Sequence, residues 1–205
     1  MNELAWHFLA GGPEGPRLRD GRPLEVGRWY EHEGPLALCE SGYHASTRAL
    51  DALKYAPGTW VSLCEIDGAV LRDADKVCAR RRCALWAADA TATLRLFACS
   101  CALDVAHLWA MPSVVRRYLE TQDESLRDAA RAHAAVLAAG AAAAAARTVV
   151  LAAAHAAADS AAWYAATVAR FAAWYAATAD DSAAPNQHLE SLLWSLGQDF
   201  TGEPE

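Results

Sequence analysis

The chain changes character near residue 89. Most of its 12 glycines and eight prolines lie before that point, among short β-type runs and turns. After it, alanine dominates and the pattern is helical almost to the end. This segregation constrains the fold more than any motif does. Strands confined to one half and helices to the other argue for an α+β architecture rather than alternating βαβ units. The expected layout is a small N-terminal β-rich unit with one helix over residues 1–88, an alanine-rich helical bundle over 89–197, and a tail over 198–205. A length of 205 residues fits one large domain or two small ones.

In the first half, LAWHFL at 4–9 reads as a strand, broken by Gly11-Gly12-Pro13. VGRWYE at 26–31 is a second strand and Tyr43–Ala45 a short third. Ser46 is placed to cap a helix from about Thr47 to Tyr55, which Pro57-Gly58 stops. WVSLCEI at 60–66 alternates, with Val61, Leu63 and Glu65 on one face and Trp60, Ser62, Cys64 and Ile66 on the other. KVCARRRCALW at 76–86 is a further strand, and its Arg80–Arg82 run is the one concentrated basic patch read in this half.

The second half opens with Asp89 as an N-cap for a helix over 90–111, with an apolar stripe at Leu94, Phe97, Cys101, Val105 and Leu108. Pro112 ends it, and Ser113 caps VVRRYLE. Asp123 or Ser125 opens a long alanine-rich helix, and the last helix runs over 186–196. Between them the pentad WYAAT occurs twice, at Trp163 and Trp174. Eleven residues make three helical turns, so the two tryptophans stand on one face. Tyr164, Phe171 and Tyr175 fall on an adjoining stripe. Such a face either packs as core against alanine or docks a partner, since aromatic side chains are enriched among interface anchors.

Charge and composition remove several function classes. Net charge is −7, whereas a sequence-independent grip on nucleic acid needs a basic face. Direct nucleic-acid binding is therefore disfavoured, and an acidic chain suits a basic protein partner. Hydrophobic residues make up 54%, yet mean hydropathy is only +0.02 because much of that share is alanine. The apolar run 134–146 is short of the roughly 20 residues a membrane span needs. No basic, apolar leader opens the chain, and six cysteines are too sparse for a disulfide scaffold. The expectation is a cytoplasmic protein without a membrane segment.

Catalytic patterns are scarce. No Walker A, GxGxxG, HExxH or GxSxG motif is present, and no cofactor is implied. Cys99 and Cys101 point about 200° apart on a helix, and Cys78 and Cys83 lie on opposite faces of a strand. Neither is a metal-ligand pair, so buried thiols are expected. Cys39 and His44 flank Gly42 in LCESGYHAS, an arrangement from which a thiol–imidazole pair can be built.

Residues 4–88 resemble an uncharacterised domain family of bacteria, notably actinobacteria, and their phages. The resemblance rests on AWHFL, VGRWYEHEGPLALCESGYHAS, YAPG, VSLCEIDG and DKVCARRRCAL, with Cys39–Ala45 (LCxxGxHA) its most specific piece. The second half, with LRLFACSCALDVAHLW at 94–109, the alanine-rich run and NQHLESLL at 186–193, resembles the helical tails of such domains and also proteins labelled as immunity proteins, a likeness that implies binding and neutralising a protein partner. The outline Gly42-Tyr43-His44-Ala45-Ser46 followed by a helix ending Tyr55-Ala56 is similar to the ADP-ribosyltransferase fold. That likeness implies a first-strand histidine at His7, His44 beside a nicotinamide, and Glu65 as the nearest acid. Phe8-Leu9 stands where that fold has a glycine and a hydroxyl residue.

Two functional expectations follow. The first is a non-enzymatic binding protein, of the immunity type or a phage-encoded anti-defence inhibitor, that blocks a protein partner through Trp163, Tyr164, Phe171, Trp174 and Tyr175. The second is a nucleotide-binding or ADP-ribosyltransferase-like protein with a cleft drawn from His7, Cys39, His44, Tyr55, Glu65, Arg80 and Arg82. It requires His7, His44 and Tyr55 to converge on one pocket. A third expectation is a structural protein that forms homo-oligomers through its alanine-rich helices.

Overall fold

The structure is a computed structural model and describes residues 3–104, 106, 111–140 and 183–201. It is mixed α+β, with an antiparallel sheet in the N-terminal part followed by helices. Two units are resolved, one formed by Met1–Ala90 with Asn186–Glu205, the other by Thr91–Pro185. The last helix thus belongs with the sheet, whereas the sequence groups it with the helical half.

In the first unit, β1 (Glu3–Gly12), β2 (Gly15–Arg17), β3 (Trp29–Glu31), β4 (Tyr43–Ala45), β5 (Trp60–Arg72) and β6 (Val77–Asp89) form one sheet of order β2-β1-β5-β6-β3. Helix α1 (Ala49–Lys54) lies between β4 and β5 in sequence. β3 and β4 both pair with β6, β3 at residues 81–83 and β4 at 77–79. The long β5–β6 hairpin carries register shifts between Leu63 and Cys64 and between Asp67 and Val70. Such irregularities bend strands and raise their twist. The sheet curls until Trp6 of β1 meets Ser46 just after β4, through paired backbone hydrogen bonds of 2.7 and 3.0 Å. Ser46 is thereby spent on the sheet and does not cap α1; its hydroxyl donates to the Asp75 carbonyl.

Over residues 5–9 of β1 and 61–66 of β5 both faces are mostly buried, which explains the apolar character of those stretches. Ala5, His7 and Leu9 pair with Cys64, Ser62 and Trp60, so these six side chains share one face. The opposite face carries Trp6, Phe8, Val61 and Leu63, all buried. Helix α5 (Ala183–Thr201) covers part of that face. Trp6 meets Trp86 and Trp194 edge-on, each at 6.0 Å between ring centroids. Such pairs add about 0.5–1.5 kcal/mol beyond burial. Leu189 and Leu193 of α5 are fully buried.

In the second unit, α2 (Thr91–Asp104), α3 (Ser113–Thr121) and α4 (Arg127–Gly140) pack around Ala98, Cys99, Ala102, Val115, Tyr118, Leu119 and Ala130. Leu94 and Phe97 are buried as the apolar stripe predicts, and Cys101 is half-buried. Val105 and Leu108 of that stripe lie outside the described residues. Burial pushes the Cys99 thiol up to about 11 and that of Cys101 to about 12. Ser113 sits inside α3, which has Pro112 at its N-cap and no side-chain cap. Asp123 caps a short 3-10 turn, Glu124–Leu126, that leads into α4. Among the described residues no helix is long and apolar enough to cross a membrane.

Candidate functional site

The first unit contains a cleft of about 900 Å³. β1 contributes His7, the segment after β2 contributes Arg19 and Arg22, the 39–46 loop and β4 contribute Cys39, Tyr43 and His44, and β6 contributes Arg82. Tyr55 at the end of α1 and Lys76 at the start of β6 complete its rim. His7, His44 and Tyr55 therefore converge on one pocket, as the second expectation requires.

Arg82 is the deepest charge in the site. The residue is only 6% exposed. Its Nη1 donates to the His44 carbonyl at 2.5 Å, and its guanidinium carbon lies 5.3 Å from the centre of the Tyr43 ring. No carboxylate pairs with it among the described residues. Burial lowers its pKa, but an arginine stays charged at any physiological pH. A buried cation without a countercharge is costly, because desolvation is then not offset.

The two histidines are held neutral in different ways. His44 Nε2 accepts the Cys39 amide hydrogen at 2.9 Å. A nitrogen that accepts carries no proton, so the ring is neutral with its proton on Nδ1. Burial, above all, keeps its pKa below the ordinary value, opposed by a hydrogen bond to the Gly42 backbone; Arg82, Lys76 and Arg19 add to the downward push. His7 is held well below the ordinary value, first by burial and then by Arg82 and His44. Its Nδ1 is out of solvent contact and has no hydrogen-bond partner among the described residues.

The loop geometry depends on Gly42. Its φ is +110°, and a Cβ there would sit 2.5 Å from Cys78 Sγ and 2.7 Å from Leu36 Cδ2. Only glycine brings the loop this close to β6. The Cys39–His44 contact it creates joins the imidazole to the backbone of Cys39, so no thiol–imidazole pair is formed in this way. The exposed Cys39 is bonded instead by Lys76, whose pKa rises as a result, with Tyr55 a second cause. Tyr55 also donates to Asp75 at 2.9 and 3.0 Å.

Two expected site residues lie elsewhere. Glu65 does not line the cleft; it pairs with Leu4 and Cys83, one position off the face of His7. The acids that do line it are Asp20 and Glu40. Arg80 is also absent, because its guanidinium donates to the His32 and Gly34 carbonyls at 2.7 and 2.5 Å and ties down that loop. The expected stripe of Trp163, Tyr164, Phe171, Trp174 and Tyr175 lies outside the described residues.

The cleft also holds cations that the sequence reading passed over. Arg17, Arg19 and Arg22 come from RLRDGR at 17–22, a second basic cluster beside Arg80–Arg82. Arg17 pairs with Glu14 and Arg22 with Asp20. Arg19 is exposed and has no partner among the described residues. Five cationic side chains thus face two carboxylates, although the chain as a whole carries −7.

Residues 18–95 match a family model described as Domain of unknown function (DUF7666). The matched segment contains Arg19, Arg22, Cys39, Tyr43, His44, Tyr55, Lys76 and Arg82, and leaves out the strand that carries His7. No curated protein and no solved structure matches the chain. The similarity found thus falls on an uncharacterised domain that supplies most of the cleft.

Proposed function

We propose that the N-terminal unit binds a small anionic ligand of the nucleotide class in the cleft around His7, His44 and Arg82. The observation that carries this reading is the buried Arg82 with no carboxylate partner. An anionic ligand supplies the missing countercharge in a site where dielectric screening is weak. The guanidinium fork suits phosphate oxygens. The neutral, unpartnered His7 Nδ1 suits a hydroxyl or amide group rather than a second charge. The cleft volume of about 900 Å³ falls within the usual range for small-molecule sites.

Transferase chemistry draws no added support from the cleft, since Glu65 stands outside it and both nitrogens of His44 are engaged by the 39–44 loop. The protein-blocking inhibitor reading rests on aromatic residues outside the described part of the chain.

Thermal unfolding with nucleosides and nucleotides tests the proposal. A nucleotide at 100 times its dissociation constant stabilises by about 2.7 kcal/mol, which shifts Tm by several degrees at roughly 2–4 °C per kcal/mol. Nucleotides raise Tm, the matching nucleosides do not, and Arg82→Gln removes the effect. No shift with any nucleotide at low salt would sink the reading.

A further inference from the structure

The cations of the cleft differ in depth, and that difference bears on which part of a ligand goes where. Arg82 belongs to β6, which is flanked by β5 on one side and by β3 and β4 on the other. Its guanidinium donates to the His44 carbonyl and lies against the Tyr43 ring, and the residue lines the cleft while only 6% exposed. A guanidinium this buried suits the end of a molecule better than its middle. A bridging phosphodiester has substituents on both sides, and both would have to be fitted beside the Tyr43 ring and the His44 carbonyl that already hold Arg82. A terminal phosphate needs only one way out. It also carries between one and two negative charges near neutral pH, against one for a diester.

Further out, Arg19 and Lys76 approach the same point from different segments. Both line the cleft together with His44, the residue whose carbonyl holds Arg82. Arg19 is exposed and has no protein partner among the described residues. A second phosphate, joined to the terminal one through a bridging oxygen, has these two further cations of the same cleft to meet.

We infer that the cleft takes its ligand end-on, with a terminal phosphate on Arg82 and a second phosphate toward Arg19 and Lys76, which is the chemistry of a nucleoside diphosphate. This inference rests on the nucleotide reading given above and adds polarity and charge number to it.

Calorimetric titration of the whole chain at low salt, without divalent cations, tests it with orthophosphate, pyrophosphate, AMP, ADP and NAD. The expected order places ADP and pyrophosphate at least ten-fold tighter than AMP, orthophosphate and NAD, whose phosphates are bridged. Arg19→Gln weakens ADP to near the level of AMP and weakens AMP much less. Arg82→Gln abolishes binding of both; should that variant fail to fold, the exposed Arg19→Gln variant still decides. NAD binding as tightly as ADP overturns end-on entry while leaving the nucleotide reading intact. Equal affinity for AMP and ADP overturns the second phosphate position. Absence of binding by all five overturns the nucleotide reading and this inference with it.

Discussion

Arg82 and His7 face the same cleft and meet its low polarity in opposite ways. Arginine cannot shed its proton, so Arg82 keeps a buried charge that leans on the His44 carbonyl and the Tyr43 ring. His7 can shed its proton, and burial and Arg82 keep it neutral. This has a consequence for stability. Unfolded, His7 titrates near 6.5, while folded it titrates lower. Below pH 6.5 the unfolded chain therefore binds more protons, and stability falls as pH drops toward the folded pKa. The slope contributed by one such histidine is at most about 1.4 kcal/mol per pH unit. Urea unfolding of wild type between pH 7 and 5 is expected to show this fall, and His7→Gln to flatten it. Parallel curves for the two proteins would refute the assignment. His7 and His44 were legible through the ADP-ribosyltransferase-like outline, and Arg82 as part of the basic run Arg80–Arg82. Arg80 was not separable from Arg82, because strand alternation places both on one face. What separates them is the loop at 32–34, whose carbonyls take up the Arg80 guanidinium.

Helix α1 shows what an element requires beyond its own sequence. It spans only Ala49–Lys54 and has no side-chain cap of its own, since Arg48 occupies the N-cap position. The amide of Ala49 instead donates to Glu190 Oε1, and that of Leu50 to Asn186 Oδ1, both at 3.1 Å. The caps come from α5, more than 130 residues away in the chain. Asn186 is 7% exposed, so removing its side chain leaves a buried donor unpaired. Asn186→Ala is expected to cost about 1–2 kcal/mol, in the range for a lost cap, measured as the change in urea midpoint at constant m-value. A change within a few tenths of a kcal/mol would show that α1 does not depend on this cap. α5 is fitted just as closely through Gly197, where a Cβ would stand 2.6 Å from Trp86 Cε2. A glycine inside a helix costs about 1 kcal/mol relative to alanine. Close approach to a rigid indole accounts for its presence there. The sequence placed this helix over 186–196 but not its neighbour, because an amphipathic face does not name what covers it.

For the whole molecule, the sheet unit draws on both ends of the described chain. Residues 1–90 alone leave Trp6 and Trp86 without Trp194, and leave the first amides of α1 without their acceptors. Tryptophan fluorescence during urea unfolding tests this dependence. Residues 1–90 joined to 186–205 by a glycine–serine linker are expected to unfold in one cooperative transition, while 1–90 alone unfolds at clearly lower urea. Equal midpoints would mean that α5 is dispensable to the sheet unit. By itself the sequence determined the α+β class and the type of most described elements. Strand alternation, glycine and proline breaks and helical period act over a few residues, so they can be read without tertiary knowledge. Only the tertiary structure decided that α5 joins the sheet, that RLRDGR meets Arg82 in one cleft, and that Glu65 stays outside it. Those outcomes depend on how far the sheet curls and where β5 slips against β6. Such properties come from the packing of distant segments, which no local pattern encodes.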